Sequence, residues 1–244
     1  MPKLVTRMPN GVTNAGTSQT LSAAGFLDPS WAVCDFDDFL AYDSALYTTS
    51  VVGTGALTAV AAAGGAAVST TSSGLADAVY NQRVTAAFQL TAGKDAFFKF
   101  SGQLSDVVNS VFYAGLIATS ATPLAASDGL YLTKASGAAT LSLVHKVGGT
   151  TTTVALPATL TLANATPFEL GLHVDSTGTI DVFFNPTTGA NAINGLAGAT
   201  RGPVAKLTGV TLTTALLTPS WGILNTTAAV RSVTADYILS AVNR

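Results

Sequence analysis

The feature that most constrains this chain is an alternation of apolar and polar residues, repeated in short runs that glycine turns separate. In residues 168–174, Phe168, Leu170, Leu172 and Val174 fall on one side of an extended chain, and Glu169, Gly171 and His173 on the other. Ile180, Val182 and Phe184 repeat the pattern in the next run. In residues 97–104, Phe98, Phe100 and Leu104 oppose Lys99, Ser101 and Gln103. The last run, 232–241, sets Val233, Ala235, Tyr237 and Leu239 on one side. A period of two is that of a strand with one buried face. Turn signals between the runs include Gly64-Gly65, Gly93, Ser127-Asp128-Gly129, Gly137, Gly148-Gly149 and Gly178. Many short strands with glycine turns predict an all-β, antiparallel, two-sheet sandwich or barrel.

One hairpin can be registered directly. Paired residues share a face, so Val174 must oppose Ile180 and Leu172 must oppose Val182. Only a three-residue loop, Ser176-Thr177-Gly178, satisfies this, with Gly178 in the left-handed conformation. His173 and Asp181 then face each other on the outer side of the sheet, a polar pair.

Composition narrows the function. Charged residues make up 10% of the 244, hydrophobic residues 48%. Soluble chains carry about 25% charge, and disorder requires high charge with little apolar content. Eleven basic residues are scattered singly against 13 acidic ones, so no basic run tracks phosphates and nucleic acid is not an expected partner. The uncharged residues 44–76 have an apolar centre of about 13 residues broken by Gly64-Gly65, short of the roughly 20 that a spanning helix needs. No secretory signal is evident at the start, and no membrane association is expected. The single cysteine, Cys34, excludes an intramolecular disulfide and suits a reducing cytoplasm; it is expected to be a small buried residue.

Two stretches lack the alternation. Residues 1–30, rich in Asn, Gly, Thr and Ser, read as an irregular N-terminal arm, with the sandwich occupying residues 31–244. Residues 185–208 read as a long contact-making loop.

Candidate chemistry is sparse. The acidic run Asp35-Phe36-Asp37-Asp38 with Asp43 could offer oxygens to calcium, but it lacks the glycine and glutamate spacing of an EF-hand. Turn and strand-end aspartates are the simpler reading. Glu169 is the only glutamate, so the paired glutamates of sandwich glucanases cannot exist here. His173, Asp181, Glu169 and Asp175 could converge on one outer face; a solvated polar pair of His173 with Asp181 is the plainer expectation. His145 lies in phase with Leu141 and Leu143, as an inward or strand-end histidine. No nucleophile has a base nearby in sequence. The expectation is a non-enzymatic protein without cofactor or metal. Tyr113, Tyr131 and Trp221, with Tyr80, could stack on a pyranose ring as glycan contacts, although strand aromatics more often pack the sheet.

Three stretches carry a resemblance. The run Trp31-Ala32-Val33-Cys34-Asp35-Phe36-Asp37-Asp38-Phe39 resembles the first strand of concanavalin A-like (laminin-G-like) sandwiches in virion proteins of tailed bacteriophages. Phe112-Tyr113-Ala114-Gly115-Leu116 is similar to their central strand. Leu217-Thr218-Pro219-Ser220-Trp221-Gly222-Ile223, followed by Asp236-Tyr237-Ile238, resembles their last two strands. The resemblance implies a concanavalin A-like jelly-roll sandwich and a structural role, decorating or cementing the capsid of a virion assembled in the host cytoplasm. It implies contact with the major capsid protein and with copies of the chain itself, as a homotrimer or a dimer. The low charge fits a surface covered by other protein. A lectin-like module for host attachment, or a tail-associated adhesin, is the alternative.

Overall fold

The computed structural model describes residues 32–60, 62, 64–186 and 203–244. Fifteen strands account for most of them: β1 (Ala32–Asp37), β2 (Tyr47–Val52), β3 (Ala56–Val60), β4 (Ala66–Thr70), β5 (Ala78–Arg83), β6 (Ala96–Leu104), β7 (Ser110–Ile117), β8 (Gly129–Lys134), β9 (Leu141–Val147), β10 (Thr150–Ala155), β11 (Phe168–Val174), β12 (Ile180–Pro186), β13 (Ala205–Leu207), β14 (Thr218–Asn225) and β15 (Ser232–Asn243). The helical pieces among the described residues are two three-residue 3₁₀ turns. Sheet A runs β13-β12-β11-β6-β15-β4-β3, with β1 also paired to β15. Sheet B runs β10-β9-β8-β7-β14-β5-β2. All pairings are antiparallel, and the inner faces of the two sheets meet in one apolar core.

The alternation decides which side chains enter that core. Sheet A contributes Phe98, Phe100, Leu104, Phe168, Leu170, Leu172, Ile180 and Val182; sheet B contributes Phe112, Leu116, Leu130, Leu143, Trp221 and Ile223. Phe100, Phe112 and Phe168 meet in tilted and edge-on pairs at 5.5–6.2 Å, the geometry that ring quadrupoles favour. The hairpin has the register expected of it. Val174 opposes Ile180 and His173 opposes Asp181. The Asp175 N–H donates to Thr179 across a three-residue loop, in which Gly178 has φ +82°.

Two expectations need correction. The last strand does not keep one phase. Ala235 opposes Gly102 and Tyr237 opposes Ser101, so Asp236 is an extra residue, a bulge. Past it the faces exchange: Ile238 and Val242 enter the core, and Tyr237 turns outward to donate its hydroxyl to Glu169 at 2.7 Å. A bulge shifts the pattern by one residue without marking the sequence with glycine or proline. Second, residues 185–208 are strand at both described ends, since β12 runs to Pro186 and β13 pairs Lys206 with Asp181. Residues 187–202 lie outside the described residues, as does the expected arm, residues 1–30.

Candidate functional site

The expected glycan contacts are turned toward protein. Trp221 lies on the inner face of β14 with no exposed area, edge-on to Tyr47 at 5.2 Å and to Phe39 at 5.8 Å. Tyr80, Tyr113 and Tyr131 share the outer face of sheet B and form a second apolar cluster with Ile117, Ala126 and Val144. Glycine makes room for the Tyr113 ring, since a Cβ on Gly222 would come 2.7 Å from it; a Cβ on Gly115 would come 2.4 Å from the Cα and Cβ of Tyr131. Leu124 and Ala118 pack on the cluster, and Lys146 Nζ ties the Leu124 carbonyl down at 2.7 Å. Tyr113 and Tyr131 are 1% and 3% exposed, so neither offers a ring face to a sugar. The Tyr113 hydroxyl has no hydrogen-bond partner among the described residues, and burial raises its pKa well above the usual value. Residue type suggests ring-stacking contacts here, but it does not say that the β7–β8 connection folds over the rings.

On the outer face of sheet A, His173 stacks on Phe97 (ring centroids 4.6 Å apart). Its Nδ1 is 3.8 Å from Asp181 and its Nε2 3.7 Å from Asp95. Lys206 reaches Asp181 at 3.3 Å. Both members of the pair are buried, and among the described residues the His173 Nδ1 and one Asp181 oxygen lack a hydrogen bond. Glu169 and Asp175 do not join them. Glu169 pairs with Lys99 and Tyr237, and Asp175 caps the hairpin turn through the N–H groups of Thr177 and Thr179. Among the described residues no group of three acidic, histidine or cysteine side chains is placed to hold a metal ion.

The aspartates at the start of the sandwich are bound by the chain's own donors. Asp35 accepts two hydrogen bonds from Arg83, both 2.8 Å, and Asp37 accepts from the Tyr47 hydroxyl at 2.6 Å and from the Phe39 N–H. Burial, then the bond to Asp37, pushes the Tyr47 hydroxyl far up in pKa. Arg83 also lies 4.6 Å over the Tyr47 ring. This network ties β1 of sheet A to β2 and β5 of sheet B. Beside it runs an open groove of about 410 Å³ lined by Val33, Cys34, Leu46, Val84 and Phe88. Cys34 is exposed rather than buried, because it shares the outward side of β1 with Phe36 while Val33 takes the side packed on the core.

Several buried polar groups carry no motif in the sequence, Lys134 and Asn225 among them. Lys134 has no exposed area, and its Nζ donates to the carbonyls of Val107, Ser110 and Ala135. Its phase with Leu130 and Leu132 was the available signal. Asn225, also buried, links the Thr71 hydroxyl to the carbonyls of Ser72 and Gly74. Both act as internal fasteners of loops.

No family model and no curated protein matches this sequence. Solved structures do match in shape. Peanut lectin covers 87% of this chain, with 97% of its own length, at 11% identity and a TM-score of 0.56. An endo-1,3-β-glucanase from Streptomyces sioyaensis covers 88% (97% of its own chain) at 11% identity and a TM-score of 0.56. The carbohydrate recognition domain of Emp47p covers 90% (98% of its own chain) at 11% identity and a TM-score of 0.57. Lectins and hydrolases share this scaffold, and such identities speak to fold alone. The chain is an antiparallel, two-sheet jelly-roll sandwich of the concanavalin A-like fold.

Proposed function

We propose that this chain is a non-enzymatic structural protein of a tailed-phage virion, which decorates or cements the shell by binding the major capsid protein and copies of itself. The observation that carries the reading is how the polar and apolar groups are distributed. The carboxylates of Asp35, Asp37, Asp106, Asp128 and Glu169 are engaged by the chain's own donors. Meanwhile Phe36, Leu40, Leu75 and Leu216 stand 54–68% exposed. A surface short of free charge and bearing large apolar side chains suits permanent protein contacts. The resemblance of the Trp31–Phe39 and Leu217–Ile223 stretches to virion sandwiches supports the same reading.

The test is co-sedimentation of the purified full chain with capsid shells that lack it. Saturable binding to the shell is expected, and removal of residues 1–30 should abolish attachment while the sandwich stays folded. A full chain that stays in the supernatant at every shell concentration refutes the proposal.

Glycan binding is the second reading, favoured by the lectins and the carbohydrate recognition domain among the structural neighbours. It requires contacts other than the buried Tyr113, Tyr131 and Trp221. A glycan array without signal above background removes it.

A further inference from the structure

An open sheet ends in strands whose outward N–H and C=O groups are unpaired, and chains guard such edges with charges, prolines or bulges. Among the described residues, β1 carries Asp35 and Asp37, and β13 carries Lys206. The neighbouring edges β2 and β3 carry no such guard. From Tyr47 to Val60 there is no charge and no proline, and both strands pair without a bulge. Val51, Val52 and Val60 are 40%, 46% and 43% exposed.

The hydrogen-bond phase of β2 follows from one contact. The Val84 N–H donates to the Leu46 carbonyl at 3.0 Å, in the register that sets Tyr47 opposite Arg83. Bonded and unbonded pairs alternate in an antiparallel ladder. Thr48, Ser50 and Val52 therefore bond to β5, and Thr49 and Val51 direct both N–H and C=O outward. Tyr47 also faces outward, but its N–H is already given to the Ser44 carbonyl.

We propose that β2 pairs antiparallel with β2 of a second copy of this chain, across a twofold axis at Ser50, so that two copies of sheet B become one continuous sheet. Inner faces must meet inner faces, which requires the axis to pass through a residue position rather than between two. Centred on Ser50, Thr49 meets Val51 of the partner subunit and Val51 meets Thr49 of the partner subunit. These pairs make about four hydrogen bonds, all from groups without a partner among the described residues. Centred on Thr49, the pairing would call on the engaged N–H of Tyr47. A second copy suits this edge because an uncharged strand meets itself without opposing like charges, whereas β1 against β1 would set aspartates together. Of the other two uncharged edges, β10 presents the exposed threonines Thr150–Thr153 and β3 a single large exposed apolar side chain, Val60, whereas β2 presents both Val51 and Val52. This inference deepens the self-association in the proposed function, and it is tested without any shell, so that its failure and the failure of capsid binding are separable.

The experiment uses the full chain with Cys34→Ser. On the axis, Ser50 of each copy forms an unbonded pair with Cα atoms about 4.5 Å apart, within reach of a disulfide. Ser50→Cys should give a covalent dimer under mild oxidation, and Thr152→Cys, on β10, should not. In sedimentation, the chain with its natural β2 should associate, and Thr48→Lys with Val52→Lys should weaken association at least tenfold at unchanged circular dichroism and melting temperature. Sedimentation as a monomer up to about 1 mM overturns the proposal, as does cross-linking that prefers residue 152.

Discussion

Replacing Lys134 by Met tests whether a buried ammonium fastens the loop between β6 and β7 to sheet B. The side chain has no exposed area and donates to three carbonyls, of Val107, Ser110 and Ala135. Methionine keeps the aliphatic stem and removes the donor. A hydrogen bond from a charged donor contributes about 1.5–3 kcal/mol, so three together are worth about 6 kcal/mol. Against this stands the burial of the charge. Desolvation pushes the Lys134 pKa from 10.5 down to about 8, with the Asp106 carboxylate opposing it. At 1.36 kcal/mol per unit, that burial costs about 3 kcal/mol. The net expectation is a loss of about 3 kcal/mol in Lys134→Met, a fall in melting temperature of roughly 6–12 °C for a chain of this size. The pH dependence adds a second signature. The folded lysine sheds its proton near pH 8, whereas the unfolded one keeps it to about pH 10.5. The unfolded chain therefore binds more protons in that window, and stability rises with pH across it. The natural protein should gain on the variant by up to about 3 kcal/mol between pH 8 and 10.5. Denaturant melts of both proteins at pH 7, 8, 9 and 10 measure this. A variant as stable as the natural chain, or a gap that does not change with pH, refutes the reasoning.

Three further expectations follow from the same structure. Burial lowers the pKa of His145, so the folded chain resists protonating it; stability should fall as pH drops below about 6.5, and His145→Phe should flatten that decline in thermal melts. Arg83→Met leaves Asp35 and Asp37 without their cation in a partly buried setting, costing about 2–3 kcal/mol. Hydrogen exchange should show β1 losing protection first, and uniform protection would contradict the role assigned to Arg83. Gly222→Ala places a Cβ 2.7 Å from both the Tyr113 ring and the Val79 carbonyl oxygen; backbone cannot yield there, so a loss of about 2–3 kcal/mol is expected in urea melts, and a neutral result would mean that the tyrosines are not seated on the glycines.

The period-two pattern by itself determined the fold class, the inner residues of β6, β11 and β12, and the β11–β12 register that sets His173 opposite Asp181. These are local properties: successive side chains of a strand point to opposite faces, and matching apolar faces leaves one register. The tertiary structure decided the rest. The bulge at Asp236 exchanges the faces of β15 because the extra residue is absorbed by pairing with β6, which no local signal announces. Tyr113 and Tyr131 read as candidate glycan contacts, yet Leu124 and Ala126 of the β7–β8 connection fold over them. Arg83 and Lys134 read only as singly scattered basic residues until Asp35, Asp37 and three carbonyls close around them. Which groups meet across the sandwich depends on contacts far apart in sequence, and a pattern of nearest neighbours carries no record of such contacts.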